Sequence, residues 1–202
     1  TAENTLRDLQ IAAANQLALY CEAMGVNFYD VRAGIDSLKG EGITRAILWP
    51  GAGVGGHCLT KDTYHLERGI EIAGISPLDY PKGHESLYVL ARQVNDFMPV
   101  HMFHLVLQGL NYVKKDIRNS KIALLGFSFL PNTDDARNTP SEKFFRICSE
   151  HGALVHVHDS WVQEYSGIRL SSAIEPVLTD ADVLVFMTAH RMYYTVDYDW
   201  VK

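Results

Sequence analysis

From Ala2 to Met24 the apolar side chains recur at spacings of three and four, through Leu6, Leu9, Ala13, Leu17, Tyr20 and Met24. That period winds one apolar stripe along a single long helix, and Gly25 supplies its stop. A strand cannot use such a pattern, because its side chains alternate with a period of two. Residue 1 is a Thr and the helical pattern runs by residue 3, so the chain is expected to be the later part of a longer one. A second long stretch of the same kind covers His84 to about Val113. It carries Leu87, Leu90, Ala91, Val94, Met98, Met102, Leu105 and Leu110 on one side, with a kink or restart expected at Pro99. Shorter helices are expected over Tyr29–Leu38 and over Lys61–Arg68, the latter ending at Gly69. Two long amphipathic helices flanking a glycine-rich loop predict a helical module of the kind that pairs with a copy of itself.

From Lys121 the texture changes. Ile122–Leu125 followed by Gly126 is a short apolar run suited to a buried parallel strand. Thr139, Pro140 and Glu142 read as a helix start, with Thr as N-cap, Pro at the first position and Glu closing a capping box. That helix is expected to stop at Gly152. Leu154–His158 and Ala181–Met187 read as further strands. Strand, helix, strand and a later strand open a doubly wound sheet. The fold class expected is therefore mixed α and α/β. An all-helical domain covers 1–115, and a partial Rossmann-like parallel-sheet domain covers 120–202. The boundary falls in the polar stretch Lys114–Ser120.

Composition narrows the partners. A 47% hydrophobic and 21% charged chain of 202 residues is that of an ordinary globular protein. The formal charge of −6, with no basic block, argues against a nucleic acid as partner. No apolar run reaches the roughly 18 residues of a membrane span. Cys21, Cys58 and Cys148 are too few and too scattered for a disulfide framework, so a reducing, cytoplasmic setting is expected.

The most informative segment is Pro50-Gly-Ala-Gly-Val-Gly-Gly-His-Cys58-Leu-Thr-Lys61-Asp62. Its glycines let backbone approach a ligand closely and expose N–H groups. Cys58, beside a helix start and with Lys61 near, sits where a thiolate is favoured. Asp62, one helical turn on, can work as a base or hold a water. A lone cysteine is more often an inert core residue. Cys21 and Cys148, inside apolar helical patterns, take that reading. A rival reading is a dinucleotide fingerprint through Gly51, Gly53 and Gly56, with Glu71 about twenty residues on. Pro50 before the first glycine and the polar residues after Gly56 weigh against it. His57, Cys58 and His65 match no familiar zinc spacing, so no metal site is expected.

The string PGAGVGGHCLTKD resembles the nucleophile loop of the UDP-glucose/GDP-mannose dehydrogenase family, in particular the branch acting on UDP-N-acetylhexosamines such as UDP-N-acetylmannosamine. Glu3-Asn4-Thr5 with Arg7-Asp8 and Ala14–Leu17 resembles that family's central dimerisation helix, and Ala91–Pro99 its second one. Leu125–Phe129 with Asn132–Arg137 resembles the opening of its nucleotide-sugar domain. The resemblance implies an NAD-dependent oxidation of a UDP-sugar C6 alcohol to a uronic acid, by a homodimer. Cys58 would carry the sugar as a thiohemiacetal and then a thioester. It implies that Asn4 supports the oxyanion, that Asp62 acts beside the attacking water, and that Trp49, Gly51, Gly53, Gly55 and Phe129 bind substrate. Lys61 and Arg137 would contact NAD. The departures are as specific. The family's catalytic Lys would fall at position 0, its N-terminal NAD domain has no counterpart here, and Leu130 stands where a Lys meets the nucleotide sugar. The chain alone is thus expected to be inactive. The alternative is a non-catalytic dimerising module that binds a nucleotide sugar.

Overall fold

The computed structural model describes residues 1–37, 47–73 and 86–198, and the first helix turns a mixed polar and small-residue face inward. Helix α1 (Ala2–Ala23) buries Thr5, Asp8, Ala12, Ala14, Asn15, Ala18 and Cys21. The apolar stripe read from the sequence lies largely outward, with Leu6 52%, Tyr20 59% and Met24 61% exposed. The inward Asp8 and Asn15 are met by two residues of a later helix: Arg92 donates to Asp8 Oδ1 at 2.7 Å, and Asn15 donates to Asn95 at 2.9 Å. Small alanines between them let the neighbouring helices close in. Gly25, at φ 66°, ends the helix as expected, donating to Glu22 O while Val26 N–H reaches Cys21 O.

Helix α2 (Phe28–Asp36) starts on Asn27, whose side chain accepts the Tyr29 N–H at 3.0 Å. The expected end at Leu38, like Ala46 and the expected start at His84, lies outside the described residues. Helix α3 (Leu59–Ala73) begins directly after Cys58, packs along α1, and runs through Gly69, where the sequence predicted a stop. One glycine costs a helix about 1 kcal/mol, too little to end one held by tertiary packing. Helix α4 (Leu87–Tyr112) likewise runs through Pro99 without a restart. Buried Met98 and Pro99 set that turn into the interior.

Strand β1 (Lys121–Leu125) leads to α5 (Pro140–Glu150) and β2 (Leu154–His158). A small hairpin, β3 (Glu164–Tyr165) with β4 (Ile168–Arg169), then α6 (Glu175–Leu178), β5 (Val183–Phe186) and a 3-10 turn at Arg191–Tyr194 follow. The hairpin and the 3-10 turn were not foreseen. β2, β1 and β5 form a parallel sheet in that order, with Ile122 opposite Val155 and Val183. β1 is central and buried on both faces. Ile122 and Leu124 pack with Phe103, Val106 and Leu110 of α4 and Phe144 of α5, while Ala123 and Leu125 pack with Val177, Leu178 and Tyr193. Two covered faces explain an apolar run without alternation. Thr139 Oγ1 caps α5 by accepting the Ser141 N–H. Glu142 does not close the expected box. It pairs with Arg146, and the Thr139 N–H goes to Ala136 O.

The chain is thus mixed α and α/β, with a Rossmann-like start to its sheet. It packs as two compact units, one of Thr1–Gly51 with Cys58–Asp96, the other of Ala52–His57 with Phe97–Lys202. Among the described residues no helix is long and apolar enough to cross a membrane.

Candidate active site

Cys58 is the half-buried residue before the first turn of α3, and its carbonyl accepts the N–H groups of Lys61 at 3.1 Å and Asp62 at 2.9 Å. That backbone role fixes the cysteine at the helix start, one turn from Asp62. Cys21 and Cys148 are buried, and burial pushes the Cys148 thiol up to about 12. Of the three, Cys58 is the one that is not buried.

Asp62 is 8% exposed and is met from α1: Asn4 Nδ2 donates to its Oδ2 at 2.8 Å. His65 Nδ1 lies 3.6 Å from Oδ1. The Asn4 hydrogen bond holds the carboxyl below its ordinary range, against the opposing effect of burial. Asp62 is therefore ionised at neutral pH, a ready acceptor for a proton. The packing of α1 on α3 brings together two residues that the sequence could link only by resemblance. Lys61, on the same turn, is exposed.

The glycines of the loop divide by cause. Gly51 donates its N–H to Asn15 Oδ1 at 2.9 Å, and a side chain there would meet open space. Gly53 has φ 130°, which favours glycine. Within the second unit, a Cβ on Gly55 would overlap the Phe129 Cβ, and one on Gly56 would press on the Phe129 ring at 3.0 Å. Gly56 is further tied by its N–H to Arg137 O at 2.8 Å and by Asn138 Nδ2 to its carbonyl at 3.1 Å. Gly55 and Gly56 are glycines because Phe129 and the 137–138 backbone occupy the space, a packing cause that sequence reading had assigned to a ligand. Residues 47–50 form no strand and a loop follows Gly56, so the fingerprint reading falls.

Trp49 is 59% exposed, with the Arg32 guanidinium 3.7 Å over its ring and Tyr29 at 5.8 Å. Arg32 is itself fixed by Asp36 at 2.8 Å and Ile47 O at 3.0 Å, a support the sequence did not reveal. Arg137 grips Asp135 with Nε at 2.9 Å and Nη2 at 2.5 Å, and that side chain holds the carboxyl at about 2. Leu130 is 49% exposed, and its carbonyl accepts the Ser128 and Thr133 hydroxyls.

A buried couple was missed. Asp159 accepts N–H groups from Phe127 at 2.7 Å, Ser128 at 3.1 Å, Trp161 at 2.8 Å and Val162 at 3.1 Å, and meets His190 Nε2 at 3.0 Å. His190 Nδ1 accepts the Asn132 N–H at 2.9 Å, so the proton rides on Nε2. Together they pin the 127–132 loop at the carboxyl edge of the sheet, where open α/β sheets bind ligands. The available signal was an Asp directly after the apolar strand β2. Among the described residues, no group of three or more His, Cys, Asp and Glu could hold a metal.

A half-buried cysteine one helical turn before a buried carboxylate in a helical unit, followed by a parallel-sheet unit with a pinned polar loop, defines a two-part α and α/β protein with a cysteine site. The chain belongs to the UDP-glucose/GDP-mannose dehydrogenase family: residues 1–86 match its central domain and residues 123–202 its UDP binding domain. It is similar to the crystal structure of NDP-N-acetyl-D-galactosaminuronic acid dehydrogenase from Methanosarcina mazei, at 60% identity and TM-score 0.94, over 100% of this chain and 42% of that one. The UDP-N-acetyl-D-mannosamine dehydrogenase of Pyrococcus horikoshii is 34% identical over 98% of this chain and 42% of its own length. A structure of that organism's UDP-D-ManNAc dehydrogenase superposes with TM-score 0.80. The chain thus spans about two fifths of the length of the relatives it matches.

Proposed function

We propose that this chain is the central and nucleotide-sugar-binding part, over 1–115 and 120–202, of an NAD-dependent dehydrogenase that oxidises the C6 alcohol of a UDP-N-acetylhexosamine to a uronic acid. The observation that carries the reading is the pairing of Asn4 with Asp62, one turn after Cys58 on α3. The substrate class rests on relatives named for N-acetyl-D-mannosamine and N-acetyl-D-galactosaminuronic acid. The family resemblance gives substrate contacts to Trp49 and Gly51 of the first unit and, separately, to Gly53, Gly55 and Phe129 of the second.

The chain's residues divide the work. When bound, a nicotinamide dinucleotide supplies the hydride acceptor for both oxidations. Lys61 of the first unit and Arg137 of the second, the latter also held by Asp135, are exposed cations of the kind that would meet its phosphates. Once the alcohol has become an aldehyde, the Cys58 sulfur bonds to its carbon, and the oxygen takes up negative charge. Asn4 Nδ2 has two N–H groups; one goes to Asp62, leaving the other to meet that oxygen. Loss of the second hydride turns the thiohemiacetal into a thioester. Asp62 then takes a proton from water as the water oxygen bonds to the acyl carbon. The C–S bond breaks, Cys58 is regenerated and the acid leaves. A working thiol suits a reducing compartment, so the reading takes the enzyme to be cytoplasmic.

The outward stripe Leu6, Tyr20 and Met24, with Leu87 and Leu90 of α4, suits an isologous pair of first units in a homodimer. In the protein joined to its cofactor domain, Cys58→Ser is expected to bind nucleotide sugar but to stop releasing uronic acid. An alcohol adds poorly to the aldehyde, and any ester it forms hydrolyses slowly. Mass spectrometry after substrate and NAD would show leaked aldehyde or a trapped ester. Uronic acid at the wild-type rate would overturn the reading, and with it the role of Cys58.

A further inference from the structure

Four side chains, each at most 1% exposed, form a line inside the first unit: Arg92, Asp8, Asn95 and Asn15. Arg92 Nη1 donates to Asp8 Oδ1 at 2.7 Å. Asn95 Nδ2 donates to the same oxygen at 2.7 Å and to the Asp8 carbonyl at 3.0 Å. Asn15 Nδ2 donates to Asn95 Oδ1 at 2.9 Å. At the far end Asn15 Oδ1 accepts the Gly51 N–H at 2.9 Å.

The line has a direction. An Asp oxygen already taking the Arg92 proton is an acceptor, so Asn95 must turn its NH2 toward it and its oxygen away. Asn15 must then turn its NH2 to Asn95, which leaves its oxygen for Gly51. A backbone N–H can only donate, so both ends demand the same orientation of both amides. Burial pushes the Asp8 carboxyl up while Arg92 draws it back. The direction holds in either charge state, because Oδ2, which has no partner, would carry the proton and leave Oδ1 an acceptor.

A wholly buried asparagine costs stability unless both ends of its amide are used, and a leucine would fill the space. The structure assigns Asn15 a positioning role: oriented through Asn95 by Asp8, it fixes the Gly51 end of the loop that leads to the nucleophile. This rests on the dehydrogenase reading for its consequence, though not for its geometry. Gly51 has no side chain and open space beside it, so its amide is the handle by which the helix pair sets the loop's entry.

The test reads that amide directly. In this chain, hydrogen exchange at Gly51 is expected to be slow, and about tenfold faster in Asn15→Leu, as the loss of one buried hydrogen bond implies. Asn15→Asp keeps an acceptor for Gly51 but faces an oxygen with Asn95 Oδ1, so exchange there should rise as well. In the enzyme joined to its cofactor domain, both variants are expected to raise KM for the nucleotide sugar about tenfold or more, with kcat changed far less. Fast Gly51 exchange in the unsubstituted chain would overturn the assignment even if neither variant folded. So would unchanged exchange in a folded variant, or an equal fall in kcat with KM unmoved. An inactive parent enzyme with slow Gly51 exchange would refute the dehydrogenase reading while leaving the line itself standing.

Discussion

Asn4 and Asp62, 58 residues apart, share a hydrogen bond of 2.8 Å that joins the first turns of two different helices. It keeps the Asp62 carboxyl low, so the proton-accepting form persists well below neutral pH. Asn4→Ala removes the donor, and the carboxyl rises. The acid-side loss of thioester hydrolysis is then expected to begin at higher pH than in the unsubstituted enzyme. A pH–rate profile of the hydrolytic step, followed by rapid quench, measures this; an unmoved acid limb would break the link. Asp62→Asn is expected to slow that step about 10²- to 10⁴-fold, the usual worth of a general base, with the acyl-enzyme accumulating.

Thiol labelling separates the cysteines. Iodoacetamide on the native chain, followed by peptide mapping, is expected to mark Cys58 first. Cys21 and Cys148 are buried, and the Cys148 thiol is held at about 12, so at pH 8 it offers almost no thiolate. Early label on either would remove the basis for naming Cys58 as nucleophile.

Asp159 ties acid stability to the second unit. Burial would raise its carboxyl, but His190 and the N–H groups of Phe127, Trp161 and Val162 bring it to about 2 against an ordinary 3.8. A carboxyl lowered on folding stabilises fully above the unfolded value, and that contribution fades as pH falls from about 4 to about 2. The difference is worth about 2 kcal/mol at neutral pH. Asp159→Asn is expected to remove at least that much at pH 7 and to flatten the acid side of the stability curve. Denaturant melts from pH 2 to pH 7 check both, and parallel curves for the two proteins would count against the assignment.

Two glycines are expected to respond oppositely to alanine. Gly126 has φ 84°, and a Cβ there would stand 2.5 Å from Thr188 O, so Gly126→Ala is expected to cost about 2–4 kcal/mol. Gly69 lies inside α3 with nothing within 4 Å of its would-be Cβ. Gly69→Ala is expected to stabilise by about 0.5–1 kcal/mol. Thermal melts of the pair, read together, test whether each glycine answers to sterics or to chain entropy.

Local chemistry was legible in the sequence where it acts locally. Gly25 stops α1, Thr139 and Pro140 start α5, and β1 is an apolar run because both its faces are covered. Periodicity also located the stripe on α1, but it could not say which side faces in. That depends on Asp8 and Asn15 meeting Arg92 and Asn95, about eighty residues away, and no short-range pattern encodes such a meeting. The same limit hid the reason for Gly55 and Gly56, since Phe129 lies more than seventy positions on. It hid the Asp159–His190 couple as well. The thiol loop was readable because its residues are consecutive; the hydrogen bond that orients its base was not.

A helix with Asp8 and Asn15 inside and Leu6 and Tyr20 outside reverses what substitution usually does. Exchanging Leu6 or Tyr20 for lysine, the ordinary route to a more soluble protein, would erase the face proposed for pairing while leaving the fold of one copy intact. Greasing the interior at Asn15, the ordinary route to a more heat-resistant one, would leave Gly51 untethered while the melting curve improved or stood still. Variants of this family screened for yield or thermal tolerance alone would therefore be enriched in sequences that fold well and no longer work.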